Sequence, residues 1–104
     1  MAYHVRLTDR ATRDLEDIYL TIHADSSPRA FAWFNRLEKA IYSLERFPDR
    51  GAETPEHKSL RHLPFGKRSH IYRIIYSVDH ISQVVTVLHI RHRARKAFRE
   101  SEIQ

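Results

Sequence analysis

Residues 71–78, IYRIIYSV, constrain the fold more than any other stretch of the chain. Tyr72, Ile74, Tyr76 and Val78 fall on one side, and Ile71, Arg73, Ile75 and Ser77 on the other. A period of two is that of a strand with one buried face. It places Arg73 on the open face, in the middle of the strongest strand. Arg61, His62, Lys67, Arg68 and His70 precede it.

The rest of the sequence supplies elements to cover that strand. Residues 3–7 alternate briefly, which suggests a short first strand. Thr8 and Asp9 then offer a cap and a first-turn acid. Leu7, Ala11, Leu15, Ile18, Tyr19 and Ile22 recur at helical spacing, predicting an amphipathic helix that ends near residue 25. Ser26, Ser27 and Pro28 break it and start a second, since serine caps and proline tolerates the first helical position. That helix spans about residues 28–46, with Phe31, Phe34, Leu37, Ile41, Leu44 and Phe47 as its stripe and Pro48 closing it. A short connection makes the two helices an antiparallel hairpin. Tyr19 and Trp33 read as core, because aromatics at helical spacing are usually packed.

Residues 49–59 read as an exposed loop and residues 60–63 as a weak strand. Pro64, Phe65 and Gly66 read as a turn, with Lys67 and Arg68 where the chain reverses. After residues 71–78 the chain reverses through Asp79, His80 and Ser82 into a final strand over 84–90. Phe98 and Ile103, with Lys96 and Arg99 around them, allow a short terminal helix or a loose tail. The expected fold is α+β, in the order β-α-α-β-β-β, with a helical hairpin packed on a mostly antiparallel sheet.

At 104 residues the chain fits one domain, 1–104. It has no cysteine, so disulfides and thiolate metal sites are excluded. No stretch resembles a secretory leader or a membrane span, and a cytoplasmic protein is expected. The formal net charge is +5. Between His57 and Arg99 the only acid is Asp79, set against Lys58, Arg61, Lys67, Arg68, Arg73, Arg91, Arg93, Arg95, Lys96 and Arg99. Such one-sided charge suits nucleic acid or an acidic protein segment. Lys58, Arg61, Lys67, Arg68, Arg91 and Arg95 are the candidate nucleic-acid contacts.

Taken together, the short first strand, the hairpin ending in FP, then LRHLPF, IYRIIYSV and VVTVLHIRHRAR, resemble the RelE/ParE superfamily of type II toxin-antitoxin toxins over nearly the whole chain. The resemblance implies a growth-inhibiting toxin restrained by an antitoxin encoded by a neighbouring gene. In one branch such toxins cleave messenger RNA at the ribosome; in the ParE branch they poison DNA gyrase. The sequence shows no helix-turn-helix signature, so operator DNA is expected to be reached only through the antitoxin.

By the same resemblance Arg73 stands where the cleaving branch has an active-site arginine. His92 falls near a general acid or base histidine, and Arg93 near a strand-end arginine. Cleavage through the 2′-hydroxyl needs a base, a cation beside the phosphate and an acid for the leaving oxygen. A histidine titrates in the useful range and an arginine holds two phosphate oxygens at once. No cofactor or metal is expected, because His89 and His92, three apart on a strand, face opposite sides. The cleaving branch's lysines on the preceding strand are replaced here by His57, Lys58, Ser59, Arg61 and His62, which leaves the general base open.

Overall fold

The computed structural model of the protein describes residues 2–68 and 70–93. The chain begins with β1 (His4–Leu7), followed by α1 (Asp9–Thr21) and α2 (Pro28–Tyr42), and a single 3-10 turn, Ser43–Glu45, extends α2. Four strands complete the fold: β2 (Ala52–Glu53), β3 (Arg61–Lys67), β4 (His70–Asp79) and β5 (Val84–His92). They form a five-stranded sheet in the order β1-β5-β4-β3-β2, in which only the β1–β5 pairing is parallel.

Both helices start where the side chains can satisfy their orphan amides. Thr8 Oγ1 accepts from the Ala11 N–H at 3.1 Å, and Ser27 Oγ accepts from the Ala30 N–H at 3.2 Å, with Pro28 in the first turn of α2. The helices end earlier than their stripes suggest. The chain after α1 turns through His23, which takes a positive φ of 61°. One face of the sheet meets the hairpin: Ala11, Ile18, Phe34, Leu37 and Ile41 pack against Leu63, Ile74, Tyr76, Val85, Val87 and Ile90. Tyr19 stacks edge-on against Phe34 at 5.1 Å, and Trp33 lies 5.4 Å from Phe65 and 5.8 Å from Tyr72, so both rings serve packing as expected.

Three local expectations are corrected. Pro64, Phe65 and Gly66 are not a turn but the second half of β3, paired with Arg73, Tyr72 and Ile71. The reversal itself comes where it was expected, at Arg68, whose φ is 58°. Proline is tolerated because β2 covers only Arg61 and His62, leaving the rest of β3 as a sheet edge. Residues 49–59 are not wholly loop, since β2 lies within them. The face opposite the helices is not open: Ile75 is 1% exposed there, beneath Leu60 and beside Leu88. The terminal helix or tail suggested by Phe98 and Ile103 lies outside the described residues.

One irregularity sets which residues share a face. Tyr76 pairs with Val87 but Ile75 pairs with His89, so Leu88 is an extra residue in β5. A bulge reverses the in-and-out phase of everything beyond it. Val85 and Val87 face the helices, and beyond the bulge it is Ile90 that does so.

Candidate functional site

The outer face of β3 and β4 gathers the polar chemistry. Arg73 donates from Nη1 and Nη2 to the two carboxylate oxygens of Glu56, at 2.8 and 2.9 Å, and from Nε to His62 Nδ1 at 3.0 Å. The side chains of Arg73 and Glu56 are only 16% and 11% exposed. Glu56 arrives on the segment between β2 and β3, which Thr54 shapes: its Oγ1 donates to the His57 carbonyl at 2.7 Å and accepts the His57 N–H at 3.0 Å. Arg91 is the direct partner of Arg73 across β4 and β5, so the two arginines share this face.

The electrostatics follow from that packing. The hydrogen bonds from Arg73 outweigh partial burial and hold the Glu56 carboxyl below its ordinary range. Burial and then the Arg73 charge push the His62 pKa down, against the opposing pull of Glu56. His62 is therefore neutral near pH 7. With Nδ1 accepting from Arg73, its proton is assigned to Nε2.

The remaining sites lie elsewhere. His92 pairs with Tyr72 and meets its ring edge-on at 5.0 Å, on the helix side of the sheet. There it lines a groove of about 700 Å³ with Arg10, Arg13, Asp17 and Thr21. Arg93 is exposed, its N–H bonded to the Ile71 carbonyl at 2.7 Å, at the same end of the sheet as exposed Lys67 and Arg68. Lys58 is exposed beside Ser59 on the Glu56 segment. Arg61 is tied down, donating to the Gly51 carbonyl at 2.6 Å with Asp49 beside it. Arg95 lies outside the described residues. The structure thus brings Arg73 together with Arg91, and Lys67 to the same end of the sheet as Arg68 and Arg93, but sets His92 on the face away from Arg73.

Two partners of Arg73 escaped the sequence reading. Glu56 is the last acid before the basic half of the chain, a position that marks a charge boundary without revealing that it folds back. His62 is the second residue of β3 and pairs with Ile75, two residues from Arg73's own partner Pro64. A second polar pair, Asp14 and His89, joins α1 to β5: Asp14 Oδ2 accepts the Ile90 N–H at 3.0 Å and lies 3.0 Å from His89 Nδ1. That His89 approach lacks hydrogen-bond alignment, and both ring nitrogens of this 2% exposed histidine are without a hydrogen-bond partner.

A helical hairpin packs on one face of a mostly antiparallel five-stranded sheet, the architecture that the sequence resemblance implied. The sequence profile described as the ParE toxin of type II toxin-antitoxin system, parDE, matches residues 5–97. The chain belongs to that family. Solved structures agree. The toxin-antitoxin complex RelBE2 of Mycobacterium tuberculosis is similar at 28% identity and a TM-score of 0.63, over 89% of this chain and 100% of that one. The chromosomal ParDE system of P. aeruginosa gives a TM-score of 0.69 at 19% identity, over 88% and 96%. The intact E. coli RelBE complex gives 0.64 at 19%, over 90% and 100%; at that identity the last two show the fold alone. No curated protein sequence matches. The protein is thus a member of a family of toxins of type II toxin-antitoxin systems.

Proposed function

We propose that the protein arrests growth as a metal-independent, ribosome-associated messenger RNA endoribonuclease acting through the Arg73 face. The observation that carries this reading is the convergence of a guanidinium, a carboxylate and a neutral imidazole within hydrogen-bond distance of one another on the sheet face opposite the helices. Perturbed titratable groups around a fixed cation are what phosphoryl chemistry requires.

In the reaction the Glu56 carboxylate takes the 2′-hydroxyl proton, and the 2′ oxygen bonds to phosphorus. The bond to the 5′ oxygen breaks, that oxygen takes a proton from solvent water, and Glu56 returns its proton to water, leaving a 2′,3′-cyclic phosphate and a 5′-hydroxyl. Arg73 holds the non-bridging oxygens as charge develops, and His62 orients Arg73 through Nε. Exposed Lys58, on the Glu56 segment, and exposed Lys67, Arg68 and Arg93, at the far end of the sheet, attract the polyanion.

A second reading has its own support. Glu56 already occupies both terminal nitrogens of Arg73, and His92 lies across the sheet. A toxin that inhibits DNA gyrase by binding, with no chemistry of its own, needs no open catalytic fork. Induction without antitoxin, with translation and plasmid supercoiling read in parallel, separates the two. Messenger cut at the ribosome, lost in Arg73→Ala, supports the nuclease. Intact messenger with loss of supercoiling supports the gyrase inhibitor. Normal growth removes both and leaves a chain that only pairs with its antitoxin.

A further inference from the structure

We propose that Glu56 is an exchangeable internal ligand of an oxyanion site built on Arg73, and that an RNA phosphate enters the site by displacing it. The inference rests on the reading of RNA as the target and names how the site is regulated. A carboxylate offers a guanidinium fork two oxygens in a plane. A phosphodiester offers two non-bridging oxygens to the same fork. The Glu56 oxygens at 2.8 and 2.9 Å therefore stand where phosphate oxygens would bind.

Three features make the exchange physical. First, the fork keeps its orientation without Glu56, because its third N–H is held independently by His62 Nδ1 at 3.0 Å from β3. Second, the host and the plug belong to different parts of the fold. Arg73 sits in the middle of β4, hydrogen-bonded into the sheet on both sides, whereas Glu56 rides on a short non-strand segment between β2 and β3. The segment's own hydrogen bonds, among them the Thr54 N–H to the Leu60 carbonyl at 2.8 Å, close a turn, so withdrawing the Glu56 side chain breaks no strand pairing. Third, the charge around the fork favours the replacement. Lys58 is exposed on the same segment, so a polyanion strand that enters the fork brings its further phosphates to a second cation.

An internal competitor has a definite consequence. It keeps an arginine that is 16% exposed from binding stray anions, and it sets the concentration at which RNA is captured. A displaced Glu56 is also freed of the partner that held its charge, at the moment when it stands beside the phosphate.

The test is binding of inorganic pyrophosphate and of a 2′-O-methyl hexanucleotide, which cannot be cleaved, to purified toxin. Glu56→Gln keeps the side chain's shape and removes its charge. It should tighten both ligands by roughly ten- to hundredfold, the strength of a charge-assisted pair expressed as affinity. Arg73→Lys should lose the gain when combined with it. Equal or weaker binding by Glu56→Gln overturns the proposal, as would a gain that survives Arg73→Lys.

Should the variant fail to fold, the wild-type protein answers by carboxyl carbon NMR. Pyrophosphate should move the Glu56 signal toward that of a solvent-exposed glutamate, and a signal unmoved at saturating ligand overturns the inference. A tightened hexanucleotide with an unchanged pyrophosphate affinity also overturns it, by placing the gain outside the fork. Neither readout requires cleavage, so a wild-type toxin that leaves messenger intact refutes the nuclease reading without deciding this one.

Discussion

Arg73 and His92 stand on adjacent strands, one residue out of register, and point to opposite faces of the sheet. Arg73 is the partner of Arg91, and His92 the partner of Tyr72, which is packed toward Trp33 and the hairpin. The cause is the extra Leu88. Without it the phase set by Val85 and Val87 would carry His92 to the outer face and Arg91 inward. The bulge turns a strand-end histidine toward α1 and gives the outer face a second arginine instead.

If cleavage runs on the outer face, the two histidines respond oppositely to substitution. His92→Ala should change cleavage of ribosome-bound messenger by less than about threefold, because its ring packs on Tyr72 on the face away from the fork. His62→Ala should lower kcat about tenfold or more, and His62→Gln, which keeps an acceptor for Arg73 Nε, should recover much of it. The pH dependence follows from the direction of the His62 shift. Protonation would take away the lone pair that Arg73 uses, and His62 protonates only below its ordinary value of 6.5. The rate should be flat through neutral pH and fall only on the acid side of that value. Single-turnover cleavage of a programmed ribosome measures all four quantities.

Asp14 fastens α1 to the part of β5 that β1 does not reach. β1 covers Val84 to Val87, and Asp14 satisfies the next free edge amide, Ile90, while Arg10 bonds its other oxygen at 3.2 Å. Burial alone would raise this carboxyl, but His89, the Ile90 N–H and Arg10 together outweigh it and leave the pKa below 3.8. A depressed folded-state pKa adds stability that is complete above the ordinary carboxylate range and lost as pH falls through it. Asp14→Ala should cost about 1–3 kcal/mol at neutral pH, since it strands a buried N–H beside a buried histidine. The difference between wild type and variant should shrink below about pH 4. Urea unfolding at several pH values reads both.

How much of this was legible depends on period and on pairing. The stripes on α1 and α2 and the alternation in residues 71–78 are local signals. They were enough to order the elements and to put Arg73 opposite the hairpin. Leu88 carries no local mark of being extra, since VVTVLHI reads as a plain apolar run. The pairing of Glu56 with Arg73 spans 17 residues and depends on a loop path that β2 begins, and two residues of strand leave no periodicity to detect. Pro64 and Gly66 misled because turn residues were read by type, whereas a sheet edge tolerates them.

Gly66 supports a specific prediction. Its φ is +117°, and a Cβ added there would stand 2.0 Å from the His70 carbonyl oxygen, which is backbone and cannot swing away. Gly66→Ala should therefore destabilise the protein by about 2 kcal/mol or more, combining left-handed strain with a clash across the β3–β4 hairpin. Amide exchange should quicken first near Lys67 and His70. A midpoint within error of wild type in urea would contradict the placement of this residue inside the strand.

Tyr76 ties the core to the segment that carries Glu56. Its side chain is fully buried under the hairpin, and its hydroxyl accepts the Gly51 N–H at 2.7 Å, just before β2. Burial is the main reason its pKa is raised, so the hydroxyl stays neutral throughout the accessible range. Tyr76→Phe keeps the ring and its packing but leaves a buried amide without an acceptor, a loss of about 1–3 kcal/mol. The distinctive expectation is local. With Gly51 released, the path from β2 to Glu56 is held less firmly, the carboxylate spends less time on Arg73, and pyrophosphate should bind more tightly than to wild type. Calorimetric unfolding and anion titration on the same preparation test the link, and a destabilised variant with unchanged anion affinity would show that the Glu56 segment is anchored independently of Tyr76.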